Sequence, residues 1–308
     1  MTEFALHGHD LFGEVVKPKA SGPVAERFTL PPFTILDART GEWQERKRAW
    51  VAMGIRGEVG RDAAAIHCPN HAQVGGLEDA NYTSVFDATI CELAYRWFSP
   101  TGGQVVDPFA GGSVRGIVAG CLGRKYWGCD LRPEQVAANE AQADEIAPSV
   151  RPVWVCGDSM DTLPEAPEAD FVFSCPPYGD LEKYSDDPRD LSAMDWHAFV
   201  AAYKRIILRA VGRMKPDTFA CFVVGDFRDG RGFYRNFVST TIEAFEECGA
   251  RLYNEAILAT AIGSASMRVT KQFESGRKLA KTHQNVLVFC KGDWRKAAAK
   301  CNGGIGNA

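Results

Sequence analysis

The chain has 308 residues, of which 45% are hydrophobic and 24% charged, and its formal net charge is −4. This length can bury one large core or two modest ones, and the composition is ordinary for a globular protein. No apolar run of about eighteen residues occurs, and no basic start precedes an apolar segment. The sequence therefore predicts neither a membrane span nor a signal peptide, and it favours the cytoplasm.

The ten cysteines are scattered singly. Several of them lie in apolar runs, as buried thiols do in a reducing compartment. The nearest approach to metal-ligand spacing is His67-Cys68-Pro69-Asn70-His71. Because structural zinc sites usually show two spaced ligand pairs, a polar loop is the favoured interpretation there, and no metal is predicted.

Residues 1–80 are predicted to form an N-terminal extension that is partly irregular. Residues 28–37 contain two prolines and are typical of an edge strand or a bound arm. A helix is predicted from Trp43 to Met53, with three basic residues between Trp43 and Trp50. Such a helix can contact a nucleic-acid backbone and stack on bases. A solvated helix face anchored by two tryptophans explains the same residues equally well.

From residue 84 onward, helical and strand patterns alternate. The spacing of Phe86, Ile90, Leu93 and Trp97 predicts an amphipathic helix over 84–98. Strands are predicted at 104–109, 125–131, 152–156, 170–174, 218–224, 251–259 and 285–290. Helices are predicted at 113–122, 133–146, from about 192, and at 233–248. The alternation predicts a doubly wound, mostly parallel α/β sheet.

The first informative strand end is Asp107-Pro108-Phe109-Ala110-Gly111-Gly112-Ser113. Its glycines let a ligand approach the backbone and the N-terminus of the following helix. It lacks both the Gly-Lys-Ser/Thr of a phosphate-binding loop and the three-glycine spacing of dinucleotide folds. The next two strands end in Asp130 and Asp158, which can accept hydrogen bonds from ribose hydroxyls and an adenine amino group. These acidic strand ends predict an adenosine-containing ligand.

The second informative strand end is Cys175-Pro176-Pro177-Tyr178. The prolines have no N–H, so the backbone carbonyls are left to point into the cleft. Acceptors around a planar exocyclic amine favour its pyramidalisation and direct its lone pair at an electrophilic methyl group. Tyr178 could stack on the base that carries the amine, which must be flipped out of a duplex to be reached. A proline-stiffened strand end is the structural alternative.

With Asp-Pro-Phe-x-Gly in one strand end and Pro-Pro-Tyr in the other, residues 83–291 resemble the S-adenosylmethionine-dependent DNA amino-methyltransferases. These enzymes make N6-methyladenine or N4-methylcytosine. The resemblance implies a Rossmann-like methyltransferase sheet with an antiparallel last strand, in a domain at 81–296 followed by a frayed tail at 297–308. It also implies the site residues. The cofactor would be bound by Asp107, Phe109, Gly111, Gly112, Asp130 and Asp158, and the target base by Cys175, Pro176, Pro177 and Tyr178.

Two positions depart from the family pattern. Gly111-Gly112-Ser113 stands where Gly-Ser-Gly is usual, and Cys175 stands where Asp, Asn or Ser is usual. A thiol accepts hydrogen bonds weakly, so the Pro176 carbonyl or Ser174 is expected to take over part of its role. The size of cysteine, which is closer to serine, favours cytosine N4 as the target. Covalent catalysis is disfavoured, because the nucleophilic cysteine of C5-cytosine enzymes normally follows the prolines.

The charge is unevenly distributed: residues 268–300 carry nine lysines and arginines against two acids. We expect the target-recognition loop at 263–283, within this stretch. Its basic residues would contact phosphates of double-stranded DNA: Arg268, Lys271, Arg277, Lys278 and Lys281. A restriction endonuclease is an open partner. The acidic stretch 161–190 carries the opposite balance, nine acids against two basic residues.

Two other functions are compatible with the same residues. RNA amino-methyltransferases of the tRNA guanine-N2 kind have a similar tetrad followed by glycine, as in Tyr178-Gly179. A non-catalytic nucleic-acid-binding protein could have kept the fold and lost the chemistry at Cys175.

Overall fold

The computed structural model describes residues 8–9, 15–16, 23–56, 86–179, 184–261 and 265–302. The strands are β1 (Gly8–His9), β2 (Val15–Val16), β3 (Ile35–Asp37), β4 (Gln104–Asp107), β5 (Lys125–Asp130), β6 (Val153–Cys156), β7 (Ala169–Ser174), β8 (Met214–Val224), β9 (Ala250–Ala259) and β10 (His283–Lys291). The helices are α1 (Pro23–Phe28), α2 (Gly41–Ala52), α3 (Ala88–Phe98), α4 (Val114–Cys121), α5 (Pro133–Ile146), α6 (Ser159–Thr162), α7 (Trp196–Arg213), α8 (Phe237–Glu247), α9 (Ala265–Gly276) and α10 (Trp294–Cys301).

Eight strands form one sheet in the order β3-β9-β10-β8-β7-β4-β5-β6. Neighbouring strands run parallel except for β10, which is antiparallel to both β8 and β9. The predicted doubly wound sheet and its antiparallel last strand are confirmed. The strands that are parallel place their carboxyl ends at one edge of the sheet, where ligands bind in such folds.

Two apolar clusters cover the two faces of the sheet, as alternation along the strands requires. In β7, Phe171 and Phe173 point into the cluster that α3 and α4 complete, while Val172 points into the other cluster. The second cluster is closed by Phe199 and Tyr203 of α7 and by residues of α8. Coverage on both faces explains why these strands are apolar throughout.

The described part of the N-terminal extension is built into this domain. β3 pairs in parallel with β9 at the edge of the sheet, so the edge-strand interpretation of the segment 28–37 is confirmed for residues 35–37. Trp43 and Trp50 are 1% and 0% exposed, so neither ring is accessible to a base. Arg46 pairs with the buried carboxylate of Glu92. The anchored-helix interpretation is therefore correct for α2, and the stacking interpretation is wrong.

Several predicted element boundaries are corrected. The strand predicted at 104–109 ends at Asp107, whose side chain accepts the Phe109 N–H in a tight turn. The helix expected near residue 192 begins at Trp196, because Asp195 caps it. The helix expected from 233 begins at Phe237, since residues 228–234 form a bridged loop. The tail predicted to be frayed from residue 297 is instead helical as far as Cys301, because it forms the second half of α10. Ala297 and Cys301 are buried.

No helix in the described ranges is long and apolar enough to cross a membrane. Among the described residues, no group of three or more His, Cys, Asp or Glu side chains could hold a metal ion. The segment His67–His71 lies outside the described residues, so the expectation of no metal site there stays a prediction.

Candidate active site

A cavity of about 630 Å³ opens at the carboxyl edge of the parallel strands. The turn after β4 lines it with Phe109, Gly111 and Gly112, and the ends of β5 and β6 line it with Asp130 and Asp158. The segment after β7 also lines it, with Cys175, Pro176, Pro177 and Tyr178. The structure thus brings both predicted strand ends together in one cavity.

Hydrogen bonds from buried side chains to backbone carbonyls fix the conformation of the glycine-rich turn. Arg115 donates to the carbonyls of Phe109 and Ala110, and Asn139 donates to the Gly111 carbonyl at 2.7 Å. Gly111 has a φ of +50°, in the left-handed region that favours glycine. Because these carbonyls are already occupied, the turn is held in one conformation before any ligand arrives.

Asp107 lies behind the cavity wall and is 0% exposed. Its carboxylate accepts from Arg115 Nε at 2.6 Å, Tyr126 Oη at 2.7 Å and Ser174 Oγ at 2.5 Å. Burial alone would lower the pKa of Arg115, but the Asp107 carboxylate outweighs it and raises that pKa. Asp107 therefore joins the end of β4 to the end of β7, and it is placed to position the site rather than to line it.

Helix α5 supports the same turn through a polar stripe that the sequence analysis missed. Gln135, Asn139 and Gln142 are 0%, 0% and 1% exposed. Gln135 donates to Asn139 at 3.0 Å, and Gln142 accepts from Ser113 Oγ at 2.6 Å. These residues recur at the spacing of one helix face, which is the signal that could have revealed them.

The two acids at the ends of β5 and β6 occupy different environments. Burial raises the pKa of Asp130, against hydrogen bonds from the backbone of Arg132 and Gly111 that favour its charged form. Asp158 caps the short helix α6 by accepting from the Met160 N–H at 2.8 Å. Both residues line the cavity, at the ends of two neighbouring strands.

The tetrad after β7 is held by an aromatic cluster. The ring of Tyr178 makes edge contacts with Phe227 and Phe237, each with centroids 6.0 Å apart. Its hydroxyl accepts from Gln284 Nε2 at 2.6 Å. Burial raises the pKa of Tyr178 well above its usual value, and the neighbouring Cys175 thiol adds to this. The phenol therefore stays neutral at physiological pH.

Ser174 does not take part in the cavity. It is 0% exposed, and its hydroxyl donates to Asp107. Of the two substitutes considered for a weakly accepting Cys175, the Pro176 carbonyl is therefore the one that remains. Among the described residues, no hydrogen-bond donor contacts that carbonyl.

A polar group lies beside Tyr178, and of its four members the sequence analysis named only Lys281, as a phosphate contact. Asp226, Lys281, His283 and Gln284 line the cavity at the ends of β8 and β10. Lys281 Nζ lies 3.1 Å from His283 Nε2, and burial lowers the pKa of Lys281. His283 and Gln284 reach this group only because β10 inserts beside β8, so chain spacing gave no sign of them. Asp226 follows β8 in the chain, and that strand-end position is the signal that could have revealed it.

The five predicted phosphate contacts fall into three groups. Lys271, Arg277 and Lys278 are exposed on α9 and the segment after it. Lys281 lies in the cavity wall instead. The side chain of Arg268 is outside the described part of the structure. The loop predicted at 263–283 is corrected in part, because residues 265–276 form helix α9.

No protein-family model matches this chain, and no curated protein matches it in sequence. Solved structures that are similar include TrmN from Thermus thermophilus, at 14% identity and a TM-score of 0.46. That match covers 67% of this chain and 49% of TrmN, so this chain spans about half of that protein's length.

Two further solved structures are named as methyltransferases. The magnesium protoporphyrin IX methyltransferase ChlM from Synechocystis PCC 6803, with bound SAM, is 11% identical with a TM-score of 0.41. That match covers 63% of this chain and 71% of ChlM. The precorrin-6y C5,15-methyltransferase from Geobacter metallireducens is 11% identical with a TM-score of 0.43, over 66% of this chain and 88% of that one. By its own strand order, with the cavity at the carboxyl ends of the parallel strands, this chain has a doubly wound, Rossmann-like α/β fold.

Proposed function

We propose that this protein transfers a methyl group from S-adenosylmethionine to an exocyclic amino group of a DNA base, cytosine N4 or adenine N6. One observation carries the proposal: the glycine-rich turn at Gly111 and Gly112 shares a cavity with Pro176, Pro177 and Tyr178. Its volume of about 630 Å³ is in the range of small-molecule and cofactor sites.

The residues at one end of the cavity fit S-adenosylmethionine. Asp130 is suited to accept hydrogen bonds from the two ribose hydroxyls, and Asp158 from the adenine amino group. Gly111 and Gly112 have no side chains, which leaves room for the methionine part beside the backbone. A hydrogen bond to a half-buried carboxylate such as Asp130 is stronger than the same bond in water.

S-Adenosylmethionine, when bound, supplies an electrophilic methyl group: the amine lone pair forms the new N–C bond while the C–S electron pair stays on sulfur. The Pro176 carbonyl accepts one N–H of the amine, and the Cys175 thiol is the weaker second acceptor. The Tyr178 ring stacks on the flipped base, and Gln284 holds that ring in place through its hydroxyl. The proton that the amine loses leaves to water at the cavity mouth.

The direct test incubates the protein with isotopically labelled S-adenosylmethionine and, in parallel, duplex DNA or tRNA. The nucleic acid is then digested to nucleosides, and mass spectrometry identifies the methylated base. Label on N4-methylcytosine or N6-methyladenine is the expected result. Label on guanine N2 of tRNA would instead assign the RNA activity, and cofactor binding without transfer would assign a non-catalytic protein.

A further inference from the structure

Two segments that border the cavity form one continuous surface. The first is the loop 225–236 after β8, where a Cβ built on Gly225 would lie 3.8 Å from the Tyr178 ring. The second is the excursion between β9 and β10, whose ends are tied by the Thr260 N–H donating to Thr282 O at 2.9 Å. The two segments are in contact, because the Lys278 side chain lies against Gly232: a Cβ atom added to this glycine would be only 2.7 Å from Lys278 Nζ.

Large apolar side chains are exposed on this surface, which we name the aromatic–basic rim (residues 228–235 and 273–279). Phe233 is 72% exposed, Leu279 71%, Phe273 42% and Tyr234 41%. Exposed aromatic rings grouped beside a cavity mark a binding surface. Basic residues outnumber acids three to one in 228–235 and two to one in 273–279, which favours an anionic partner.

The loop of the rim is held in a defined shape. Arg228 lies 4.1 Å over the Tyr234 ring and donates to the Gly232 carbonyl at 2.9 Å. Asp229 accepts the N–H groups of Arg231 and Phe233 at 3.0 and 2.9 Å. Phe233 and the side chain of Arg231, which is 87% exposed, are therefore presented to solvent by internal hydrogen bonds. A surface organised in this way loses little conformational entropy on binding.

We propose that the aromatic–basic rim binds the DNA strand that carries the target base, next to the flipped nucleotide. Phe233 and Tyr234 stack on neighbouring bases, and Arg231 and Lys278 contact the flanking phosphates. A ring can stack on a neighbouring base only where a face of that base is exposed, and flipping out the target base exposes the faces of its neighbours. The proposal rests on the proposed function, because the position of Tyr178 defines where the flipped base lies.

The test measures affinity for a fluorescein-labelled DNA duplex with a single mismatch by fluorescence anisotropy, with S-adenosylhomocysteine saturating. Phe233→Ala is expected to weaken DNA binding by about 5-fold or more, the usual range for one stacked base. Phe33→Ala is the matched control: Phe33 is 70% exposed, but it precedes β3 and so lies at the amino ends of the parallel strands, away from the cavity at their carboxyl ends. Neither substitution is expected to change affinity for S-adenosylhomocysteine.

A second variant tests the charged half of the rim. Lys278→Gln is expected to reduce the slope of log affinity against log salt by about 0.7–0.9, the contribution of one phosphate contact. Equal DNA affinity of Phe233→Ala and Phe33→Ala, with an unchanged slope for Lys278→Gln, would overturn the rim as the DNA surface. Binding of tRNA but not DNA, with the same dependence on Phe233, would also overturn it as a DNA surface.

The proposed function fails in a different way. If DNA binding depends on Phe233 but no methyl group is transferred, the rim is a DNA-binding surface and the proposed methyltransferase activity is wrong. If methyl transfer occurs and Phe233→Ala retains full affinity for DNA, the proposed activity is correct and the rim is not the DNA-binding surface.

Discussion

Replacing Asp107 by Asn tests whether this carboxylate positions the site or contacts the cofactor. Asp107 accepts from four donors: the Phe109 N–H, Arg115 Nε, Tyr126 Oη and Ser174 Oγ. Asn has one acceptor oxygen, and its NH₂ group would face hydrogen-bond donors. Arg115 would also lose its buried counter-ion. Breaking a buried ion pair costs about 3–5 kcal/mol, a large part of a typical folding stability of about 5–15 kcal/mol.

We therefore expect Asp107→Asn to lower the free energy of unfolding by about 3–5 kcal/mol, measured by urea denaturation with tryptophan fluorescence. Asp37→Asn is the control, because Asp37 also pairs with an arginine, Arg39, but that arginine is 52% exposed. An exposed pair is screened by solvent, so Asp37→Asn should lower the free energy of unfolding far less than Asp107→Asn. Ser174→Ala, which removes a single donor from Asp107, should cost about 1.5–3 kcal/mol.

The opposite pattern would contradict a positioning role for Asp107. A loss below about 1 kcal/mol for Asp107→Asn, together with a large fall in S-adenosylhomocysteine affinity of the folded variant, would make Asp107 a direct cofactor ligand.

Three further outcomes are expected. Asp130→Asn should lower S-adenosylhomocysteine affinity by about 10-fold or more. Because burial raises the pKa of Asp130, the wild-type affinity should fall as the pH falls through that raised pKa. Titration calorimetry of the variant should show a flatter dependence of affinity on pH. Glu92→Gln should destabilise the fold by about 3–5 kcal/mol. Burial alone would raise the pKa of Glu92, but Arg46 and Arg96 outweigh it and lower that pKa. The stability that Glu92 contributes is therefore present above its ordinary pKa of 4.5 and is lost as the pH falls through its lower pKa in the folded state. A pH-independent difference in urea midpoint between wild type and variant would contradict this. Tyr178→Ala should cut turnover in a methyl-transfer assay while cofactor affinity stays unchanged, and an equal loss of both would reassign Tyr178 to the cofactor.

Much of the fold was predictable because its signals are local. Pro133 opens α5 and the helix ends at Ile146, as its sequence pattern predicted. The strands β5 and β7 differ from their predicted ranges by one residue each, since continuous apolar runs between turn residues define buried strands. Where side-chain caps compete, the boundaries shifted: Asp195 rather than Ser192 starts α7.

The site was predictable only in part. Residues that follow strands in the chain, such as Asp130 and Tyr178, could be assigned because the carboxyl ends of parallel strands share one edge of the sheet. Gln284 could not, because it reaches the cavity through the insertion of β10 beside β8. Pairing between strands about sixty residues apart leaves no local pattern in the chain.

The order of residues by itself determined the alternating elements, the glycine-rich turn and the proline tetrad, since each depends on backbone preferences over a few neighbours. Only the tertiary structure decided which acids are accessible and which are engaged inside the protein. Asp107, Asp130 and Asp158 occupy equivalent places in the sequence pattern, yet Asp107 is closed off by Arg115 while the other two line the cavity. Burial and pairing depend on neighbours that are distant in the chain, and the packing of the whole sheet supplies them.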